Sequence, residues 1–101
     1  IFLSTSLEET FGVTYGEAMA AGLPIIAGKK SGATKEIIKN CGILTDVSSV
    51  KSICKSIMKY NNEKIYNKKR IMGIKRANKY LNLNIITKNY IDHIKYIYDH
   101  K

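Results

Sequence analysis

The sequence predicts an α/β fold: a partial parallel sheet of three strands with helices between them, then a helical C-terminal segment. Three observations carry this reading. Short apolar, β-prone runs recur at residues 1–5, 24–27 and 41–45, and runs this short suit strands better than helices. The stretches between them carry helical pattern with Gly, Pro, Ser or Thr at their ends, and strands alternating with helices argue for parallel pairing. After residue 46 the apolar spacing changes to that of amphipathic helices and stays so.

Taken in order, residues 1–5 form the first strand. Residues 14–22 form a short helix closed by Gly22, with Pro24 barring continuation. Residues 24–27 form a second strand, apolar throughout as a strand buried on both faces must be. A loop from Gly28 to Thr34 leads to a helix over 35–39, with Thr34 or Ser31 as its cap. Residues 41–45 form the third strand. Asp46, Ser48 or Ser49 caps the helix that follows, whose buried stripe is expected to be Val50, Ile53, Cys54, Ile57 and Met58. Lys51, Lys55 and Lys59 fall off that stripe. A helix over 63–81 is expected to bury Ile65, Tyr66, Ile71, Ile74, Ala77 and Leu81. Asn82-Leu83-Asn84 breaks it. A last helix over 85–99 carries Ile86, Tyr90, Ile94, Ile97 and Tyr98 as its apolar face. Phe11, Met19 and Leu23 read as core.

Acid and glycine concentrate where the first strand ends, and open parallel sheets bind ligands outside the carboxyl ends of their strands. Glu9 lies in the loop and Glu17 in the first turns of the helix, with seven residues between them. Ionised carboxylates only accept hydrogen bonds, so this pair suits a ligand rich in hydroxyl donors, such as a sugar or a ribose. Gly12 lets backbone approach a ligand closely. The free N–H groups at the helix start suit a negative or hydroxyl-rich group. An acid near a helix start also suits the helix dipole with no ligand at all, so spacing alone leaves both readings open.

The run Glu8-Glu9-Thr10-Phe11-Gly12-Val13-Thr14-Tyr15-Gly16-Glu17-Ala18-Met19-Ala20-Ala21-Gly22-Leu23-Pro24 resembles the nucleotide-sugar-binding segment of the group 1 (family 4) retaining glycosyltransferases, enzymes of the GT-B fold. That family's pattern is Glu, seven residues, Glu, with Phe-Gly inside and Glu-Ala-Met-Ala-x-Gly-x-Pro after. The resemblance extends more loosely over nearly the whole chain. It implies a Rossmann-like sheet and places residues 1–101 in the C-terminal part of the donor-binding domain. It also implies that Glu9, the first motif acid, is the catalytic residue that faces the transferred sugar. By the same match, backbone around Phe11, Gly12 and Val13 holds sugar hydroxyls, and Glu17 holds the ribose. Gly32 and Glu36 match a further Gly-rich turn and acid of the family. There the fit is looser, and a plain helix-start role for Glu36 stays open. Leu83 stands where the family often has an aromatic.

At 101 residues the chain is at most one small domain. It opens on Ile within a strand and reads as a piece of a longer protein. Cys41 and Cys54 fit no zinc spacing, and Cys54 reads as a small core residue in a reduced, cytoplasmic setting. His93 and His100 read as surface residues. The formal charge of +9 is uneven: residues 1–50 carry 4 basic and 5 acidic side chains, residues 51–101 carry 13 and 3. Lysine outnumbers arginine 15 to 2, whereas readers of nucleic acid favour arginine forks, so nucleic acid is not an expected partner. Contact with an anionic membrane surface stays open for the basic tail.

The resemblance implies transfer of a hexose from a nucleoside diphosphate sugar to an acceptor hydroxyl with retention, in glycan, polysaccharide or glycolipid synthesis. No metal or other cofactor is implied. The acceptor, a glycan or a lipid-linked chain, would be held by an N-terminal domain outside these residues, and the family's diphosphate-gripping cations also lie upstream of Ile1. The 101 residues alone are therefore expected to be inactive. Two alternatives stay open: a nucleotide-sugar enzyme of another reaction class on the same scaffold, and a non-catalytic interaction module of the same fold. The upstream cationic residues would separate the first, and an upstream frame without the other half of the fold would favour the second.

Overall fold

The computed structural model describes residues 1–6, 13–32, 34–80 and 83–100, without the side chains of Val13 and Leu83. Its elements are β1 (Phe2–Leu3), α1 (Val13–Ala20), β2 (Ile25–Gly28), α2 (Thr34–Ile38), β3 (Gly42–Thr45), α3 (Val50–Lys59), α4 (Glu63–Tyr80) and α5 (Leu83–Asp99). The three strands form one parallel sheet in the order β1-β2-β3. Phe2 pairs with Ile25 and Leu3 with Ile26, and β3 runs beside β2 from Ile25–Gly42 to Gly28–Thr45. This is the expected Rossmann-like half-sheet. β1 is shorter than the apolar run predicts, although Ser4 still donates its N–H to the Ile26 carbonyl at 2.9 Å.

α1 ends as the sequence foretells. Gly22 takes φ +80°, its N–H reaches the Met19 carbonyl, and the Leu23 N–H reaches Ala18, both at 3.0 Å. This is the Schellman closure, and it needs a residue without Cβ at the left-handed position. The Ser49 hydroxyl accepts the Ser52 N–H at 3.1 Å and caps α3. The Asn62 side chain accepts the N–H groups of Lys64 and Ile65. Asn62 is therefore the N-cap of α4.

The core gathers Tyr15, Ala18 and Met19 of α1, Ile25 and Ala27 of β2, Ile38, Cys41, and Ala77 of α4. Phe2 meets Tyr15 edge-on with ring centroids 5.9 Å apart. β2 is buried along its whole length, as a central parallel strand must be. Burial also raises the Cys41 thiol pKa, against the pull of Arg76 and Lys69, which suits an inert packing residue.

Two helix faces differ from expectation. In α3 the apolar stripe points away from the sheet: Val50 is 76% exposed and Met58 63%, Cys54 and Ile57 are exposed too, and Ile53 is only half-buried. The face turned inward carries Ser52, Ser56 and, just past the helix, Tyr60. The helix is tied to the sheet just past its C-terminal end by the Tyr60 hydroxyl, which donates to the Ile25 carbonyl at 2.7 Å. That anchor favours the rotation that turns Ser56 and Tyr60 inward. In α4, Ile65 and Ile71 are exposed while Gly73 and Ala77 are buried, because α4 crosses α1 on its small residues. A Cβ built on Gly73 would lie 3.5 Å from Met19. Leu23, also read as core, is partly exposed, and so is the apolar face of α5. Phe11 and Leu81 lie outside the described residues.

Two cations of the basic tail have structural work. Arg76 donates from Nε to the Ile37 carbonyl at 2.7 Å and from Nη2 to Glu36 at 2.9 Å, and Lys69 Nζ reaches the Asn40 carbonyl at 2.6 Å. These cations satisfy carbonyls at and beyond the end of α2, where positive charge is favoured. Among the described residues, no helix is long and apolar enough to cross a membrane.

Burial raises the Tyr60 pKa to about 12 from an ordinary 10.0, with Cys41 adding to the rise. A raised folded value means the unfolded chain loses this proton first as pH rises. Its contribution is whole below pH 10 and fades between pH 10 and about 12. Thermal melts across that window should show the wild type losing stability faster than Tyr60→Phe. At pH 7 the variant should be less stable by about 1 kcal/mol, the worth of the lost hydrogen bond. Parallel curves would refute a buried phenol at this position.

Candidate functional site

Three chain segments leave the carboxyl ends of the strands side by side. β1 leads through Ser4 to Ser6, β2 leads into Lys29–Gly32, and β3 leads into Asp46–Ser49. Between them lies a cavity of about 180 Å³, lined by Ser6, Lys29, Lys30, Ser31, Thr45, Asp46, Val47 and Ser48. Its floor is tight: a Cβ on Gly28 would stand 3.2 Å from Ser31 Cβ and 3.3 Å from both the Ser6 carbonyl and Val47. Glycine at the last position of β2 lets these segments converge.

The polar groups of the cavity are fixed locally. Lys29 donates its N–H to the Thr45 carbonyl at 2.9 Å. The Ser31 carbonyl accepts the Thr34 hydroxyl at 2.7 Å and the Thr34 N–H at 3.2 Å, starting α2. Asp46 accepts both the hydroxyl and the N–H of Ser48. Those bonds, first the hydroxyl and then the amide, hold the Asp46 carboxyl below its usual range, and Lys29 and Lys30 add to the effect. At neutral pH the rim therefore presents one carboxylate, two ammonium groups and several hydroxyls. Such a set can hold a ligand that is both anionic and rich in hydroxyls.

Of the residues singled out in the sequence, Glu17 is exposed on α1, directly before the buried Ala18 and Met19 that root its helix in the core. Val13 opens α1 at the carboxyl side of the sheet. Glu9, Phe11 and Gly12 lie outside the described residues. Glu36 is exposed and borders a different depression, with Lys35, Lys39, Asn40 and Leu44. It is not brought together with Lys29 and Lys30. Sequence reasoning missed Ser31 and Asp46 as rim residues, treating both as helix caps. Their signal was position: each lies within three residues of a strand's carboxyl end.

Residues 1–92, including both motif acids, match the family described as "Glycosyl transferases group 1". Sucrose-phosphate synthase 4 of Arabidopsis thaliana is 30% identical over 99 residues, which cover 95% of this chain and 9% of that protein. A probable sucrose-phosphate synthase 1 of Craterostigma plantagineum is 37% identical over 78 residues, 74% of this chain and 7% of its own length. The solved sucrose-phosphate synthase from Thermosynechococcus elongatus matches 98% of this chain and 25% of its own, with a TM-score of 0.86 at 20% identity. That is a likeness of fold. The chain thus spans less than a tenth of the curated relatives it matches. A family match over nearly the whole length, on a parallel sheet followed by the acidic motif, makes this chain a member of the group 1 glycosyltransferases.

Proposed function

We propose that the full-length protein transfers a hexose from a nucleoside diphosphate sugar to an acceptor hydroxyl, with retention at the anomeric carbon. One observation supports this above the others: in a group 1 family member, Glu17 stands exposed on the helix that begins at the carboxyl side of the sheet. Its carboxylate is open to a ligand while its neighbours anchor the helix. On this reading Glu17 accepts the ribose hydroxyls. Glu9 and the backbone around Phe11, Gly12 and Val13 orient the sugar.

Preorganised positive charge facing the departing diphosphate supplies much of the catalysis, from basic residues outside this chain. The reaction uses no metal or other cofactor. Residues 1–101 serve as the C-terminal part of the donor-binding domain. The acceptor is a glycan or a lipid-linked chain held elsewhere in the full-length protein, which works in the cytoplasm, at the membrane face when the acceptor is a lipid.

The test is turnover by the full-length protein with UDP-, ADP- and GDP-hexoses, with and without EDTA, and the anomeric configuration of the product read by NMR. Retained configuration at an EDTA-independent rate is expected. An inverted product, or no turnover with any donor, would refute the reading.

A further inference from the structure

We infer that the cavity between the ends of β2 and β3 binds a small sugar phosphate, its phosphate against Lys29 and Lys30 and a hydroxyl against the buried Ser31 side chain. This inference goes beyond the donor reading and does not depend on it. Ser31 lines the cavity at 2% exposure, and its Oγ has no hydrogen-bond partner among the described residues. Buried hydroxyls nearly always have one. The backbone of Ser31 is meanwhile fixed: its N–H reaches the Gly28 carbonyl at 3.3 Å, and its own carbonyl takes both Thr34 donors. The hydroxyl is therefore held in place with its bond unmade, as a preorganised ligand contact would be.

The charges narrow the ligand. Lys29 and Lys30 border the same cavity, and lysines bind phosphate as flexible point charges. Asp46 also borders it and is ionised. A bare phosphate would meet that carboxylate as a like charge. A ligand with hydroxyls at its other end would instead donate to it. The volume of about 180 Å³ corresponds to roughly six waters at about 30 Å³ each. That is room for a phosphate with part of one sugar ring.

Calorimetry on the full-length protein with glucose 6-phosphate, glucose and inorganic phosphate tests this. Glucose 6-phosphate should bind, glucose should not, and inorganic phosphate should bind more weakly. Lys29→Gln with Lys30→Gln should weaken glucose 6-phosphate binding about tenfold or more. Lys51→Gln with Lys55→Gln, an equal charge change on exposed parts of α3, should not. Ser31→Ala should weaken binding several-fold without lowering the melting temperature, because it deletes a hydroxyl that makes no bond in the free protein. Glu17→Gln should leave this binding intact, which separates it from the donor reading. Absence of binding by the folded protein, or binding indifferent to the Lys29/Lys30 change, overturns the inference. Equal affinity for inorganic phosphate overturns its assignment to a sugar phosphate.

Discussion

Glutamine in place of Glu9 is expected to lower kcat of the full-length protein about a hundredfold and to leave the donor KM nearly unchanged. Glutamine in place of Glu17 is expected to do the reverse, raising the donor KM about tenfold or more. The contrast follows from the proposed roles. A group that orients the reacting sugar matters most at the transition state, and slight misplacement there is costly. A group that holds the ribose contributes equally before and during reaction, so its loss appears as binding. Each substitution keeps shape and removes charge. Steady-state kinetics with varied donor would check both. Equal effects on kcat from the two changes would mean that the acids act as one unit.

Met19→Ala is expected to cost about 2–5 kcal/mol of stability, the range for emptying a large side chain from a packed core. Met19 is fully buried and belongs to the central cluster with Tyr15, Ile25 and Ala77. It also meets the close crossing of α4 at Gly73. The cavity would open between α1 and α4, and both helices are held by other contacts, so collapse would be partial. Denaturant unfolding measures this directly. A loss below about 1 kcal/mol would mean that α4 closes on α1 without Met19, contrary to the packing described.

The order of elements was legible because local chemistry marks each boundary. Gly22 and Pro24 end α1, Ser49 starts α3, and the apolar run at 24–27 falls on the strand buried on both faces. The inward faces of the later helices were less legible. Counting apolar residues placed Val50, Cys54, Ile57 and Met58 inside. α3 is instead tied to the sheet by a phenol that reaches a carbonyl 35 residues away in sequence, and no periodicity encodes such a bond. In α4 the contact rests on Gly73 and Ala77, which weigh little in a hydrophobic pattern but allow close approach.

The acidic motif was plain from spacing and resemblance. The rim cavity was not, because its residues come from three segments that only the parallel sheet brings together. The basic tail left contact with an anionic surface open in the sequence; in the structure two of its cations, Lys69 and Arg76, are engaged on carbonyls around the end of α2.

The central claim is that Glu17 holds the ribose of a nucleotide-sugar donor. Saturation-transfer NMR on the full-length protein with UDP- and GDP-hexoses, beside Glu17→Gln, addresses it most directly. The account predicts strong transfer to ribose and sugar protons of one donor in the wild type, and loss of that transfer in a variant that remains folded by circular dichroism. Ribose signals of equal strength in both proteins would contradict it.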